Sequence, residues 1–146
     1  MVRSIIGVIV GYLAMFVLVF VTLTVAFLLM GTEWSFKPNS FEASNAWIAM
    51  SLVANFIIAV IGGLICAVIA KGGKAPIVLA AVVFVLGLVL AIPSMMAHKQ
   101  NAGLVRRGNV SQLEAMQKAN EPVWVPFSVP FIGAAGVLLG AKIKRT

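Results

Sequence analysis

Apolar residues fall into four long blocks that short polar connections separate. The blocks cover residues 5–30, 46–70, 75–97 and 123–141, and none of them contains Asp, Glu, Lys, Arg or His. Each block can cross about 30 Å of hydrocarbon as a helix, which takes about 20 residues. Strands of a membrane barrel would alternate apolar and polar residues, and these blocks do not. The pattern therefore predicts an all-α fold, an integral membrane four-helix bundle.

Composition agrees with a membrane protein of one domain. The chain of 146 residues is 62% hydrophobic and 10% charged, whereas soluble domains carry about 25% charged residues. Arg3 precedes the first block, as a basic residue does in a secretory signal peptide. That apolar run is too long for a signal peptide, whose hydrophobic region spans roughly 7 to 15 residues. We therefore expect a single transmembrane domain over residues 1–146 that retains its first span.

The polar connections carry signals of local structure. In "VSQLEAMQKAN", Ser111 and Glu114 have the spacing of a helix capping box. This spacing predicts a short interfacial surface helix between spans three and four, from about Gln112 to Ala119, with Leu113 and Met116 turned inward. The first outer connection, "GTEWSFKPNSFEASN", mixes aromatic with polar residues, so we expect it to lie along the membrane interface.

Glycine and proline indicate where the spans turn or bend. "KGGK" followed by Pro76 is typical of a turn and a helix start, which predicts a tight antiparallel hairpin of spans two and three. Pro126 and Pro130 each remove a backbone hydrogen bond in the outer half of span four, so we expect a kink or a widened turn there. Pro93 lies near the outer end of span three. The prolines indicate either an outer cavity or simply the higher frequency of proline in membrane helices.

Small or polar residues recur at every fourth position of "SLVANFIIAVIGGLICA" in span two. On a helix this spacing forms one shallow groove, and small residues are what allows helices to approach closely in lipid. The other spans carry shorter versions of the groove. The predicted helix-packing residues are Gly7, Gly11, Ser51, Asn55, Ala59, Gly63, Ala67, Gly87, Ala91, Gly136 and Gly140.

Asn55 is the most informative residue of this groove. A buried amide in lipid favours an interhelical hydrogen bond, which contributes roughly 0.6 to 2 kcal/mol. Its partner would be a helix of the same bundle, a neighbouring subunit or a polar ligand. We favour the first interpretation of the grooves as a whole, in which they seat the four helices against one another.

Charge and tryptophan distinguish the two ends of the bundle. The expected interface anchors are Trp34, Trp47 and Trp124 at one end and Lys71, Lys74, Lys142, Lys144 and Arg145 at the other. Because short basic flanks favour the cytoplasmic side, we expect both termini in the cytoplasm and the chain in a bacterial inner membrane. Membrane lipids are the expected partners of these side chains. Nucleic acid is not, although the pI is about 10.2, because no stacking aromatics accompany the basic residues.

Few residues offer chemistry. Ion or proton transport normally uses an ionisable group within the membrane, and the spans hold none. Small multidrug exporters are similar in size, but this chain lacks their embedded glutamate. A nucleophile needs a base and haem often needs two histidines, yet His98 is the only histidine. We therefore predict no catalytic residue and no cofactor. The remaining candidates are weak: Met95, Met96 and His98 for a soft metal, and Arg106 and Arg107 for a phosphate of a lipid or a partner.

These observations favour a structural role. We expect a non-catalytic accessory or assembly subunit that packs against other transmembrane subunits of a larger complex, such as a respiratory or photosynthetic one. The alternative is a small homo-oligomeric channel or carrier for a neutral or lipidic solute, which would use Ser51, Asn55 and the outer cavity near the prolines.

Overall fold

The chain forms a bundle of four long helices with a short fifth helix at one end. The computed structural model describes residues 1–71, 73–101 and 112–145. These residues form α1 (Val2–Ser35), α2 (Asn45–Ala70), α3 (Ala75–Asn101), α4 (Gln112–Lys118) and α5 (Trp124–Arg145). Within these ranges, extended structure is limited to two isolated bridges. All four long helices are long and apolar enough to cross a membrane, so the predicted fold class is confirmed.

The helix boundaries follow from local signals. The span predicted to end at residue 30 is helical to that point, and the backbone then leaves helical geometry at Gly31 (φ 74°, ψ 172°), a conformation that favours glycine. The Ser44 side chain caps α2 by accepting a hydrogen bond of 3.1 Å from the Trp47 backbone N–H. Lys71 ends α2 in the left-handed region at φ 54°.

The helices are arranged around the bundle in the order α1, α2, α5, α3. The most extensive contact is between α2 and α5, followed by α1 with α2 and α3 with α5. The connection from Lys71 to Lys74 is short, as predicted, but α2 and α3 contact each other little. The predicted tight antiparallel hairpin of spans two and three is therefore present in its connection, although the faces of the two helices pack little against each other. The reason is that α5 occupies the groove of α2 that a hairpin partner would fill.

Glycines bring α2 and α5 into backbone contact. A Cβ on Gly136 would lie 2.6 Å from the Ala59 Cβ and 2.9 Å from the Phe56 carbonyl oxygen. A Cβ on Gly63 would overlap the backbone of Val137. Both helices advance in the same direction along this contact. The predicted groove of span two, from Ser51 to Ala67, thus receives a glycine face of α5.

A different face of α2 receives α1. A Cβ on Gly7 would lie 2.9 Å from the Cys66 carbonyl oxygen, and one on Gly11 would lie 3.0 Å from the Gly62 carbonyl oxygen. On a helix, Gly62 and Gly63 point about 100° apart, so adjacent glycines serve two neighbouring helices. Met15 also packs against Gly62, and this is the last of these close α1–α2 contacts along α1.

Both prolines of the fourth span lie within α5. Pro126 lies in the first turn of α5, where the missing N–H has no intrahelical acceptor to lose. Pro130 lies inside the helix and is buried. A Cβ on Gly87 of α3 would lie 2.7 Å from the Pro130 Cγ, so the proline ring fills the space that the glycine leaves. This ring-to-glycine contact packs α5 against α3, and the kink or widened turn expected at the prolines stays a prediction.

A small aromatic core covers one end of the bundle. Phe27, Phe36, Phe41 and Ala115 are buried together, and the rings of Phe36 and Phe41 pack edge to face with centroids 5.8 Å apart. Backbone hydrogen bonds from Asn120 N to Phe41 O (2.8 Å) and from Ala43 N to Asn120 O (2.9 Å) join the α1–α2 connection to the segment before α5. We call this assembly the outer cap.

The short helix α4 matches the predicted surface helix in place, but its orientation differs. Leu113 was expected inside and is 68% exposed, whereas Ala115 is 4% exposed and packs into the outer cap. That expectation is wrong, because the shallow space beneath α4 admits a methyl group next to the phenylalanine rings. The Met116 side chain and Ser111 lie outside the described residues.

Substitution of Gly63 tests the α2–α5 contact. Gly63→Leu should lower the thermal unfolding temperature in detergent, because overpacking costs about 1–3 kcal/mol even where side chains can move, and here the obstacle is backbone. The control Val68→Leu adds bulk to the same helix at an exposed position and should change little. Equal destabilisation by the two variants would contradict this contact.

Cysteine labelling tests the orientation of α4. In a Cys66→Ala background, which removes the only cysteine, a buried one, Leu113→Cys should react readily with a membrane-impermeant maleimide. Ala115→Cys should react at least about tenfold more slowly, because labelling there requires local opening. A faster reaction at position 115 would reverse the orientation described above.

Candidate functional site

The polar residues of the α2 groove bond to their own helix. Ser51 Oγ donates a 2.9 Å hydrogen bond to the Ile48 carbonyl, and Asn55 Nδ2 donates a 2.8 Å hydrogen bond to the Ser51 carbonyl. This bond uses one of the two Nδ2 hydrogens of Asn55, so the interhelical hydrogen bond expected of this amide stays a prediction. A carbonyl one turn away satisfies that one hydrogen locally.

The predicted small residues lie inside the packing contacts. Gly7, Gly11, Gly63, Gly87, Gly136 and Gly140 each face a neighbouring helix at a distance that leaves no room for a side chain. Ala59, Ala67 and Ala91 are buried. Gly62 and Gly133 have the same role and were missed, although Gly62 stands next to Gly63 and Gly133 lies three positions before Gly136. Those two spacings are the signals that would have identified them.

A middle cavity of about 220 Å³ lies between α1, α2, α3 and α5. Tyr12 and Met15 line it from α1, Asn55 from α2, and Gly87 and Pro130 from α3 and α5. Asn55 and a proline of the fourth span therefore line the same cavity, as predicted. Ser51, the other hydroxyl in that prediction, is buried and does not line this cavity.

An outer cavity of about 300 Å³ adjoins the middle one and lies beneath the outer cap. Both are lined by Phe16 and Val19 of α1. Phe16 and Phe20 are 64% and 55% exposed, so the outer cavity opens sideways along α1. Its other lining residues are Leu23, Thr24, Phe27, Ser35, Phe36, Ala43, Trp47, Ala115, Ala119 and Glu121.

Glu121 is the charged residue of the outer cavity. Burial raises the pKa of its carboxyl above the usual range, because a desolvated carboxylate loses its hydration. The carboxyl makes no hydrogen bond or ion pair with another described residue. In contrast, Glu42 accepts from Lys37 at 3.3 Å and Glu114 from Lys118 at 3.0 Å. Glu121 was not singled out in the sequence, although it is the acidic residue closest to the start of span four.

His98 joins the end of α3 to the segment that carries Glu121. Its Nδ1 lies 3.0 Å from the Glu121 backbone carbonyl. A carbonyl only accepts, so Nδ1 is the donor and carries the hydrogen.

The other candidate ligands of the sequence are not brought into a site. Met95 is half-buried and Met96 exposed, and the described residues contain no group of three His, Cys, Asp or Glu suited to a metal. Arg106 and Arg107 lie outside the described residues.

The expected anchors lie at opposite ends of the bundle. Trp34 and Trp124 are 69% and 56% exposed, whereas Trp47 is half-buried and packs edge to face on Phe27 with centroids 6.1 Å apart. Lys71, Lys74, Lys142, Lys144 and Arg145 are exposed at the other end, where Arg145 Nη2 donates to the Gly73 carbonyl at 3.3 Å. Trp47 thus lies at the same end of the bundle as Trp34 and Trp124 and also lines the outer cavity.

Comparison with protein-family models, curated proteins and solved structures finds no match to this chain. No relative therefore assigns a role to the two cavities, and the function has to be argued from their geometry and from the surface of the bundle.

Proposed function

We propose that the protein is a non-catalytic accessory or assembly subunit that packs against transmembrane helices of a larger complex, such as a respiratory or photosynthetic one. The observation that carries this proposal is the free face of α1. In the most apolar stretch of α1, 6% of residues are buried, against 33%, 28% and 39% in α2, α3 and α5. Most of the apolar surface of α1 therefore faces the surroundings of the protein.

The internal packing supports the same role. The small-residue grooves of all four long helices are occupied within the bundle, so they leave the outer face of α1 as the surface for another subunit. That face is built of large side chains, including Ile9, Leu13 and Val17. Large apolar side chains offer dispersion contacts, and packing of this kind is what drives helix association in lipid.

The location within the cell follows from charge. The exposed basic residues Lys71, Lys74, Lys142, Lys144 and Arg145 share one end of the bundle with the N-terminus. The positive-inside rule favours this end in the cytoplasm. We therefore infer a bacterial inner-membrane protein with both termini cytoplasmic and the outer cap on the opposite side.

Photo-crosslinking in native membranes tests the proposed interface. A benzophenone side chain at Leu13 of α1 should form one discrete adduct with a different protein. The same group at Val89 of α3, which is similarly exposed, should react with lipid alone. Lipid adducts alone at both positions would contradict the proposal, and so would an adduct with a second copy of the 15.4-kDa chain.

A second candidate is a homo-oligomeric carrier for a neutral or lipidic solute. The observation that favours it is the middle cavity, where an amide and a proline ring meet between four helices. Its neighbour, the outer cavity, opens sideways along α1, which is the direction from which a lipidic solute would enter from the bilayer.

A flux assay tests this second candidate. Liposomes with the reconstituted protein should pass a fluorescent short-chain neutral lipid between leaflets faster than protein-free liposomes. Asn55→Leu should abolish this passage, because it removes the polar lining of the middle cavity. Ser51→Ala should retain it, since Ser51 does not line the cavity and its backbone carbonyl still accepts from position 55. Equal rates for all samples would remove this candidate.

A further inference from the structure

We propose that the outer cavity binds a single-chain cationic amphiphile, with the alkyl chain between α1 and Trp47 and the positively charged head at Glu121. This site needs neither the partner subunit nor the solute passage proposed above. Two independent features point to it, namely the shape of the cavity and a carboxyl in its wall that no described residue pairs.

The cavity has the size and lining of a site for one short alkyl chain. Its volume of about 300 Å³ is at the lower end of the range for small-molecule sites, roughly 300–1,000 Å³. Phe16, Phe20 and Leu23 line it from α1, and Trp47 lines it from α2. In the protein on its own Phe16 and Phe20 are also exposed, so the chain can enter from the bilayer without passing through water.

The carboxyl of Glu121 determines the charge of the head. A carboxylate removed from water needs a positively charged or donating partner, and no described residue supplies one to Glu121. Two described lysines at this end of the bundle have acidic partners of their own: Lys118 pairs with Glu114 and lies over the Phe41 ring at 5.5 Å from its centroid, and Lys37 pairs with Glu42. His98 donates to the Glu121 backbone.

A cationic head therefore complements the site, and an anionic head does not. An anion would add a second negative charge next to a carboxylate in a low-dielectric wall, where like charges repel strongly. A neutral hydroxyl head supplies at most a hydrogen bond and leaves the negative charge uncompensated. The alkyl chain supplies affinity through burial, and the charge supplies the selectivity.

The site can be tested with Trp47 as the reporter. Trp34→Phe and Trp124→Phe replace two exposed tryptophans and leave Trp47, which lines the cavity. In zwitterionic nanodiscs at neutral pH, 10-bromodecyltrimethylammonium should quench Trp47 fluorescence saturably, because bromine on the chain would contact the indole. 10-Bromodecan-1-ol, the neutral counterpart, should quench no more than partitioning into lipid alone produces.

Two carboxyl variants distinguish a site from non-specific partitioning. Glu121→Gln is isosteric and uncharged, and it should weaken saturable quenching by the cation at least about tenfold, as loss of one member of a buried charge pair does. Glu114→Gln removes a negative charge on α4 that already has a lysine partner and should leave the affinity unchanged.

The pH dependence gives a further readout. The probe is permanently charged, so a change in affinity reports on the protein. Because the pKa of Glu121 is raised by burial, the cation should be released as the pH falls through that raised value. Among the described residues, the other titratable and charged groups at this end of the bundle are Glu33 on α1, Lys37 and Glu42 in the α1–α2 connection, His98 and Lys99 on α3, and Glu114 and Lys118 on α4. His98→Gln should keep the pH dependence.

Three outcomes would overturn this proposal. They are equal cation affinity of the wild-type protein and Glu121→Gln, equal quenching by the alcohol and the cation, and loss of the pH dependence in His98→Gln. Thermal unfolding of each variant provides the check on folding, and the Glu114→Gln variant shows whether surface charge alone produces the effect.

Discussion

Close approach of the backbones of α2 and α5 is the constraint on which the rest of the bundle depends. Lipid offers no hydrophobic drive for helices to associate, so contact has to come from packing. Gly63, Gly136 and Gly140 allow that packing because a Cβ at each would meet backbone atoms of the facing helix. Once α2 and α5 are joined, α1 can pack on the Gly62 face of α2 and α3 on the Pro130 face of α5.

The same packing explains where the cavities lie. The close contacts of α1 with α2 involve Gly7, Gly11 and Met15. Phe16, the next residue along α1, is the first that lines both cavities. Beyond that point α1 carries large side chains and no glycine until Gly31. The outer half of α1 is held to the rest of the bundle by the aromatic cap instead, which leaves open space beneath it. Close packing of α1 on α2 at the basic end and the outer cap at the opposite end thus leave a cavity that opens sideways.

Much of the fold could be predicted because it depends on residue composition and helical periodicity. The four spans, the short α4 and the small-residue groove of α2 all follow from spacing along the chain. The packing of α2 and α3 could not be predicted from their short link, because a connection constrains the helix ends but not which faces meet. Leu113 and Ala115 show the same limit, since both are apolar and only the shape beneath α4 distinguishes them. Glu121 lies between two predicted elements, and nothing in its local sequence indicates burial.

The sequence by itself determined that this chain has four membrane-length helices, no ionisable group within them and glycines that permit close helix contact. These properties depend on length, hydropathy and spacing, which act locally. The tertiary structure alone decided that α5 rather than α3 occupies the α2 groove, that Asn55 bonds to its own helix, and that a half-buried carboxyl borders an apolar cavity. Those outcomes depend on which surfaces meet in three dimensions, and helix faces of similar composition differ only in shape.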